Sequence, residues 1–520
     1  MPVNRRDFLR VGAAQTALVG LGVASCAKHP GASTIPADGN PFRHGLASGD
    51  PLSDRVILWT RVSPNEGRAL ESIRTTWWIA LDRGGQDVVG SGEALANPDR
   101  DFTVKIDVGG LAPGTDYFFG FETSGVKSPV GRTRTFPDDS VRHVRIAFTS
   151  CANYPQGYFN AYAAIAARDD LDVVLHLGDY IYEYANGDYG DGRELGRVPD
   201  PDRVTVRLED YRRRHAQYKL DPDLQAAHAR HPWITVWDDH ESADNSYRDG
   251  SLEHDASLGD WQTRKLSAIR AYYEWMPIRE FPTQLFRTFR FGSLLDLVML
   301  DTRLHGRDKQ VGPQDNAAAR DVSRSMLGED QTGWLLDALS DSSKRGSAWR
   351  VIGQQVIFSP FSDGVSRFNP DSWDGYRENR RVVLDHVSRN AIENLVFLTG
   401  DVHSAWAFEV PPTKSSGIAY DAESGTGSQA VEFVTPAVSA STPGSYPEAR
   451  QRFKGIVDRV PHLKYANVDD HGFVILDLTK ERARAEYYFV ETTTDRSAKT
   501  HAGPILETRS GTSHLQRLEV

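Results

Sequence analysis

Residues 171–184 read LDVVLHLGDYIYEY. An apolar run of strand length, interrupted by His176, meets Gly178 and then closes on Asp179, Tyr180, Tyr182 and Tyr184. Runs this short and this apolar belong to strands covered on both faces. A carboxylate where such a strand stops is either a turn residue or a group facing the crevice outside the carboxyl ends of a sheet. One ending cannot choose between the two, so the rest of the chain has to.

Three further apolar runs stop in the same chemical way. They are RIAFTSCAN (145–153), WITVWDDHESADN (233–245) and LVFLTGDVHSAW (395–406). With residues 173–182, these endings supply Cys151, Asp179, Tyr182, Asp238, Asp239, His240, Asn245, Asp401 and His403, a metal-ligand inventory. It is rich in oxygen and poor in histidine, which suits hard cations better than a structural zinc site. Tyrosine discriminates further: a free phenol has a pKa of about 10, so it coordinates at neutral pH only beside a strongly polarising ion such as ferric iron. The three-residue spacing of Asp179 and Tyr182 lets the carboxylate bridge two ions while the phenolate completes one. Tyr180 and Tyr184 are read as packing, and His176 as a core histidine.

Around these runs, longer amphipathic stretches alternate with apolar ones from residue 143 onward. That texture predicts an α/β domain over 143–510. Residues 41–137 differ: RVILWTRV, IRTTWWIAL and DFTVKIDV are short strand-like runs separated by Gly, Pro and Asp, an all-β module. Within it, LAPGTDYFFGFET (111–123) puts Tyr117 where the tyrosine corner of a fibronectin III-like sandwich falls. RLEDYRRRHAQYKL (207–220) reads as a helix whose arginines form a solvated face, and NGDYGDGREL (186–195) as a mobile loop. GFVILDLTKERARAEYYFV (472–490) reads as a strand hairpin.

The 520-residue chain carries a net charge of −11 and a pI near 5.8, with no long basic tract, which excludes nucleic acid as an obligate partner. Residues 1–30 combine NRRDFLR with a short uncharged stretch, the pattern of a twin-arginine export signal too short to be a transmembrane segment. This predicts delivery to the periplasm or the extracellular space, with lipid anchoring if Cys26 is the cleavage cysteine. Cys26 and Cys151 are the two cysteines, so the mature chain keeps one thiol and no internal disulfide.

The series SCANYPQGYFNAY, HLGDYIYEY, WDDHESADN, DSWDGY, GDVHSAW and EFVTPAVSAS resembles the motifs of the PhoD-like alkaline phosphatases, within the metallophosphoesterase superfamily. HGLASGDPLSDRVILWTRV (44–62) is similar to that family's amino-terminal β-domain. The resemblance implies a four-layer αββα core, related to that of purple acid phosphatases, preceded by a fibronectin III-like sandwich. It implies Fe(3+) on Cys151 and Tyr182, Asp179 as the bridge, and Ca(2+) as the companion ion. Asp239 replaces the superfamily's usual asparagine, Asn245 is a further ligand candidate, and Asp401 and His403 correspond to the final ligand pair, with the one that touches iron left open. His240 would serve the leaving group. Arg303, which follows Asp301 at a strand end, is a candidate for a phosphate oxygen, with a structural Asp-Arg pair as the alternative, and Trp373 and Tyr376 are candidates for pocket walls, with stacking within a loop as the alternative. The implied activity is that of an exported, monomeric alkaline phosphatase or phosphodiesterase acting on small-molecule phosphate esters by in-line attack of metal-activated water. The alternatives are a phospholipase D-like diesterase, or a secreted β-sandwich binding protein with a silent α/β domain. A Ser-His-Asp hydrolase is set aside because no G-x-S-x-G elbow occurs.

Overall fold

The computed structural model describes residues 39–518 apart from 66–70, 281–283, 313–314, 362–368 and 414–415. The export and lipid-anchor expectations fall on residues 1–30, outside the described residues. Among the described residues no helix is long and apolar enough to cross a membrane.

Two sheets form the core. In the ten-stranded sheet, His143–Thr149, Val173–His176 and Pro232–Thr235 run parallel. In the seven-stranded sheet, Leu295–Met299, Trp349–Gly353, Leu395–Thr399 and Ala430–Val434 run parallel. Every residue of Leu295–Met299, Trp349–Gly353 and Leu395–Thr399 is buried, as the continuous apolar runs require of strands covered on both sides. One apolar cluster joins the sheets face to face, with Ile146, Val174 and Ile234 from the first and Leu297, Val351 and Val431 from the second. A second cluster packs helices Gly328–Arg345 and Arg377–Arg389 on the outer face of the seven-stranded sheet. The layers are αββα.

The amino-terminal module divides between two sheets. Val88–Ala96, Ile73–Ala80, Asp116–Thr123 and Val126–Lys127 form a separate sheet, joined by Gly131–Arg134. Leu46–Gly49, Arg55–Arg61 and Thr103–Gly109 instead extend the ten-stranded core sheet. The junction is parallel, with Ser48 opposite Pro232 and Gly49 opposite Trp233. Tyr117 accepts the Ala112 N–H at 2.8 Å, the bond expected of a tyrosine corner. Residues 472–490 form the predicted hairpin, Gly472–Thr479 against Arg482–Val490, and its first strand pairs antiparallel with His143–Thr149.

Candidate metal centre

The carboxyl ends of strands from both sheets meet at one edge, because Ser150 bridges in parallel register to Ala437 just past each strand. Residues 437–440 fold over Cys151, whose carbonyl accepts the Ser439 and Ala440 N–H groups at 3.3 and 3.2 Å. The chain must turn sharply at these ends. Cys151, Asp179, Asn245, Asp401 and His403 all have positive φ, between 52° and 66°. Such conformations are costly for side chains with a Cβ and concentrate where geometry serves a site.

Gly178 shows how tightly the ends are fitted. Its φ is +108°, and a Cβ there would lie 2.3 Å from the Asp238 Cβ and 2.6 Å from its nitrogen. Gly178→Ala is expected to cost about 3 kcal/mol or more of unfolding free energy, read by denaturant titration, because backbone has to move. A loss under about 1 kcal/mol would contradict the packing.

Glu241 fastens two of the ends. Buried, it accepts the N–H groups of Asp179 (3.1 Å), Tyr180 (2.6 Å) and Asp238 (2.8 Å). Arg214 fastens the following turn, donating to the carbonyls of Tyr182 and Pro201. The helix Leu208–Lys219 is as predicted, but Arg214 is 1% exposed. Its face is therefore not solvated throughout, because uncapped carbonyls of the neighbouring loop supply partners for a buried guanidinium.

Three groups of donors converge, each with atoms within 4.8 Å of one another: Cys151, Asp179 and His403; Asp179, Asp239 and His240; and Asp238, Asp239 and Asp401. Tyr182 joins the first group, its Oη donating to Asp179 Oδ2 at 3.1 Å and lying 3.2 Å from His403 Nε2. Asp179 and Asp239 each belong to two groups. Buried acceptors without a partner remain, Asp179 Oδ1 and Asp238 Oδ2.

The electrostatics are those of crowded, buried acidic groups. Burial, then the nearby Asp179 carboxylate, pushes the Cys151 thiol and the Tyr182 phenol well above their ordinary values. Burial does the same to Asp179 and Asp401 and brings Asp238 up to about 7 despite Arg303. Burial pulls His403 down to about 4, the neutral form that ligates metals. His240 moves the other way. Burial alone would lower it, but Glu183, Asp179 and Asp239 together hold it well above its ordinary value, with Nδ1 2.8 Å from Glu183 Oε2. Orphaned carboxylate oxygens and a phenol suit hard, strongly polarising cations, and the thiol and neutral imidazole beside them are donors that iron also accepts.

The other expected site residues are placed differently. Asn245 gives its backbone N–H to Asp239 Oδ2 at 2.6 Å and its side-chain amide to Asp244. Arg303 is 0% exposed, with its nitrogens on carboxylates, so the expectation that it meets a phosphate oxygen is corrected. Trp373 and Tyr376 are also 0% exposed. Trp373 donates to Gln354 Oε1 and Tyr376 to the Asp308 carbonyl. They belong to the apolar core under the helices rather than to a pocket wall. His176 is a core histidine as expected, 2.8 Å from the Tyr162 hydroxyl, and Tyr180 is spent on His228. Tyr189, in the segment expected to be a mobile loop, stacks on Tyr182 and lies 3.4 Å from His403 Nδ1, while Asn153 holds its carbonyl. Sequence reasoning missed Glu183, Glu241, Asp371, Arg307 and Tyr189. Glu183 lies next to Tyr182, Glu241 next to His240, and Asp371 opens DSWDGY, so these three carried a signal of position, whereas Arg307 and Tyr189 carried none.

The αββα core thus carries, at its strand ends, carboxylates shared between groups able to hold a metal ion. The PhoD-like phosphatase model matches residues 146–487 and the PhoD-like phosphatase N-terminal domain matches 25–137, so the chain belongs to the PhoD-like phosphatase family. It is 35% identical to alkaline phosphatase D of Bacillus subtilis (strain 168), a phosphoric ester hydrolase, over 95% of this chain and 86% of that one. Among solved structures, one described as the structure of PhoD superposes with a TM-score of 0.83 at 31% identity, covering 94% of each chain.

Proposed function

We propose that the chain is an exported alkaline phosphatase or phosphodiesterase, with ferric iron at Cys151, Tyr182, Asp179 and His403 and calcium at Asp238, Asp239 and Asp401. The observation that carries this is the meeting of the Tyr182 phenol with Asp179 and His403, in a group that also includes the Cys151 thiol. It also favours His403 over Asp401 as the iron ligand. Bound there, the cations would supply Lewis acidity to a water and to phosphoryl oxygens.

The chain's own residues do the rest. Asp179 and Asp239, each in two groups, fix the separation of the loci. Glu183 orients His240 through Nδ1 and leaves Nε2 to protonate the departing alkoxide. Tyr182 and Tyr189 stack on His240 at ring distances of 4.1 and 6.1 Å and limit its rotation. Small-molecule phosphate esters are the substrates. A twin-arginine signal in residues 1–30 delivers the enzyme beyond the cytoplasmic membrane, with Cys26 as the site of any lipid.

The test is elemental analysis and visible absorption on protein matured in its native host. Iron near one per chain and a charge-transfer band that Tyr182→Phe abolishes or shifts are expected. A colourless wild type without iron would sink the assignment.

A further inference from the structure

Arg303 leaves the end of strand Leu295–Met299 and reaches aspartates from separate segments. Its Nε donates to Asp238, Nη1 to Asp371 at 2.8 Å and Nη2 to Asp401 at 2.7 Å, and Nη2 also lies 3.6 Å from Asp239. Asp238, Asp239 and Asp401 are themselves a group able to hold a cation. The guanidinium and a bound ion would therefore share the same carboxylates. They need not exclude one another, because Arg303 takes one oxygen of Asp238 and leaves the other, Oδ2, buried without a partner. An acceptor left unmet in that way is free to take a donor or a cation.

Charge points the same way. Asp238, Asp239, Asp371 and Asp401 face Arg303, and Arg307 adds a second guanidinium on Asp371 at 2.5 Å; both arginines are 0% exposed. With all four carboxylates ionised, two guanidiniums would leave −2, which one divalent cation offsets. A guanidinium does not lose its proton in proteins, so its share of the balance is permanent.

We propose that Arg303 is a built-in cation of the second locus, holding Asp238, Asp371 and Asp401 together when the divalent ion is absent and thereby setting how far the fold depends on that ion. It is a positioning residue, touching carboxylates rather than substrate. The proposal rests on the cation-site reading of the centre and is independent of the reaction catalysed there. Without the guanidinium, calcium becomes the replacement, since it gathers six to eight oxygens in flexible geometry.

The experiment compares wild type and Arg303→Met, stripped of divalent ions with a chelator and then refilled with calcium, reading the thermal midpoint and calcium per chain. Wild type is expected to gain about 3 °C on refilling and Arg303→Met about 10 °C or more. A purely structural role would lower both midpoints of the variant and leave the calcium gain unchanged, so equal gains overturn the proposal. If Arg303→Met does not fold, Arg303→Gln, neutral but still hydrogen-bonding, decides by the same reading. Failure of both to fold at every calcium concentration also overturns it, because the ion then cannot stand in for the side chain. A wild type that binds no calcium sinks the cation-site reading and this proposal together, whereas calcium bound with equal gains sinks this proposal alone.

Discussion

Asp179→Ala is expected to lower kcat on a nitrophenyl phosphate by about 10³-fold or more and to remove iron from the purified protein. Asp179 shares one donor group with Cys151 and His403 and another with Asp239 and His240. Its Oδ2 receives the Tyr182 hydroxyl while its Oδ1 is buried without a partner. Its loss breaks the iron locus and the group that links it to Asp239 and His240. Tyr180→Phe is the matched control one residue away. Its hydroxyl faces His228, so about 1 kcal/mol of stability and little activity should go. Full iron and full turnover in Asp179→Ala would refute the centre.

His240→Asn should cost about 10²- to 10⁴-fold in kcat, more for alkyl esters than for nitrophenyl esters, whose leaving group needs no proton. The partner substitution Glu183→Gln tests the charge. Burial disfavours the charged ring, but Glu183, first among the opposing carboxylates, raises it. A group raised in this way is protonated below its folded pKa and loses its proton as pH rises through it. Removing the Glu183 charge therefore moves the alkaline limb of kcat to lower pH, by about one unit or more. An unmoved limb with unchanged kcat would remove His240 from proton transfer.

The parts of this molecule legible in its sequence are those written locally. Strand ends announce themselves because an apolar run stops within a residue or two of its functional group, as at Gly178–Asp179 and Gly400–Asp401. The tyrosine corner at Tyr117 and the 472–490 hairpin were legible for the same reason. Pairings across distance were not. Glu183 meets His240 57 positions away, and Arg303 meets Asp401 98 positions away. A buried arginine ringed by aspartates and one holding a phosphate look alike as letters. Trp373 and Tyr376 failed for a related reason: an aromatic in a polar loop packs inward as readily as outward, and here the inward choice gives Trp373 Gln354 and Tyr376 a carbonyl. The shared sheet was hidden because its parallel junction joins Ser48 and Gly49 to residues more than 180 positions later.

That junction determines where the polypeptide could be cut. A fragment beginning after residue 137 would bare the strand Pro232–Thr235 as a raw edge, three residues before Asp238, and invite pairing with other chains. It would also strip Asp50 from Arg287, a buried ion pair at 2.8 Å. The strands Leu46–Gly49, Arg55–Arg61 and Thr103–Gly109 are continuous with the core sheet. The outer sheet follows them, because Ile79, Tyr117, Phe119 and Phe121 pack in one apolar cluster with Leu46, Leu58 and Val104, so the amino-terminal third has to travel with the hydrolytic half as a whole.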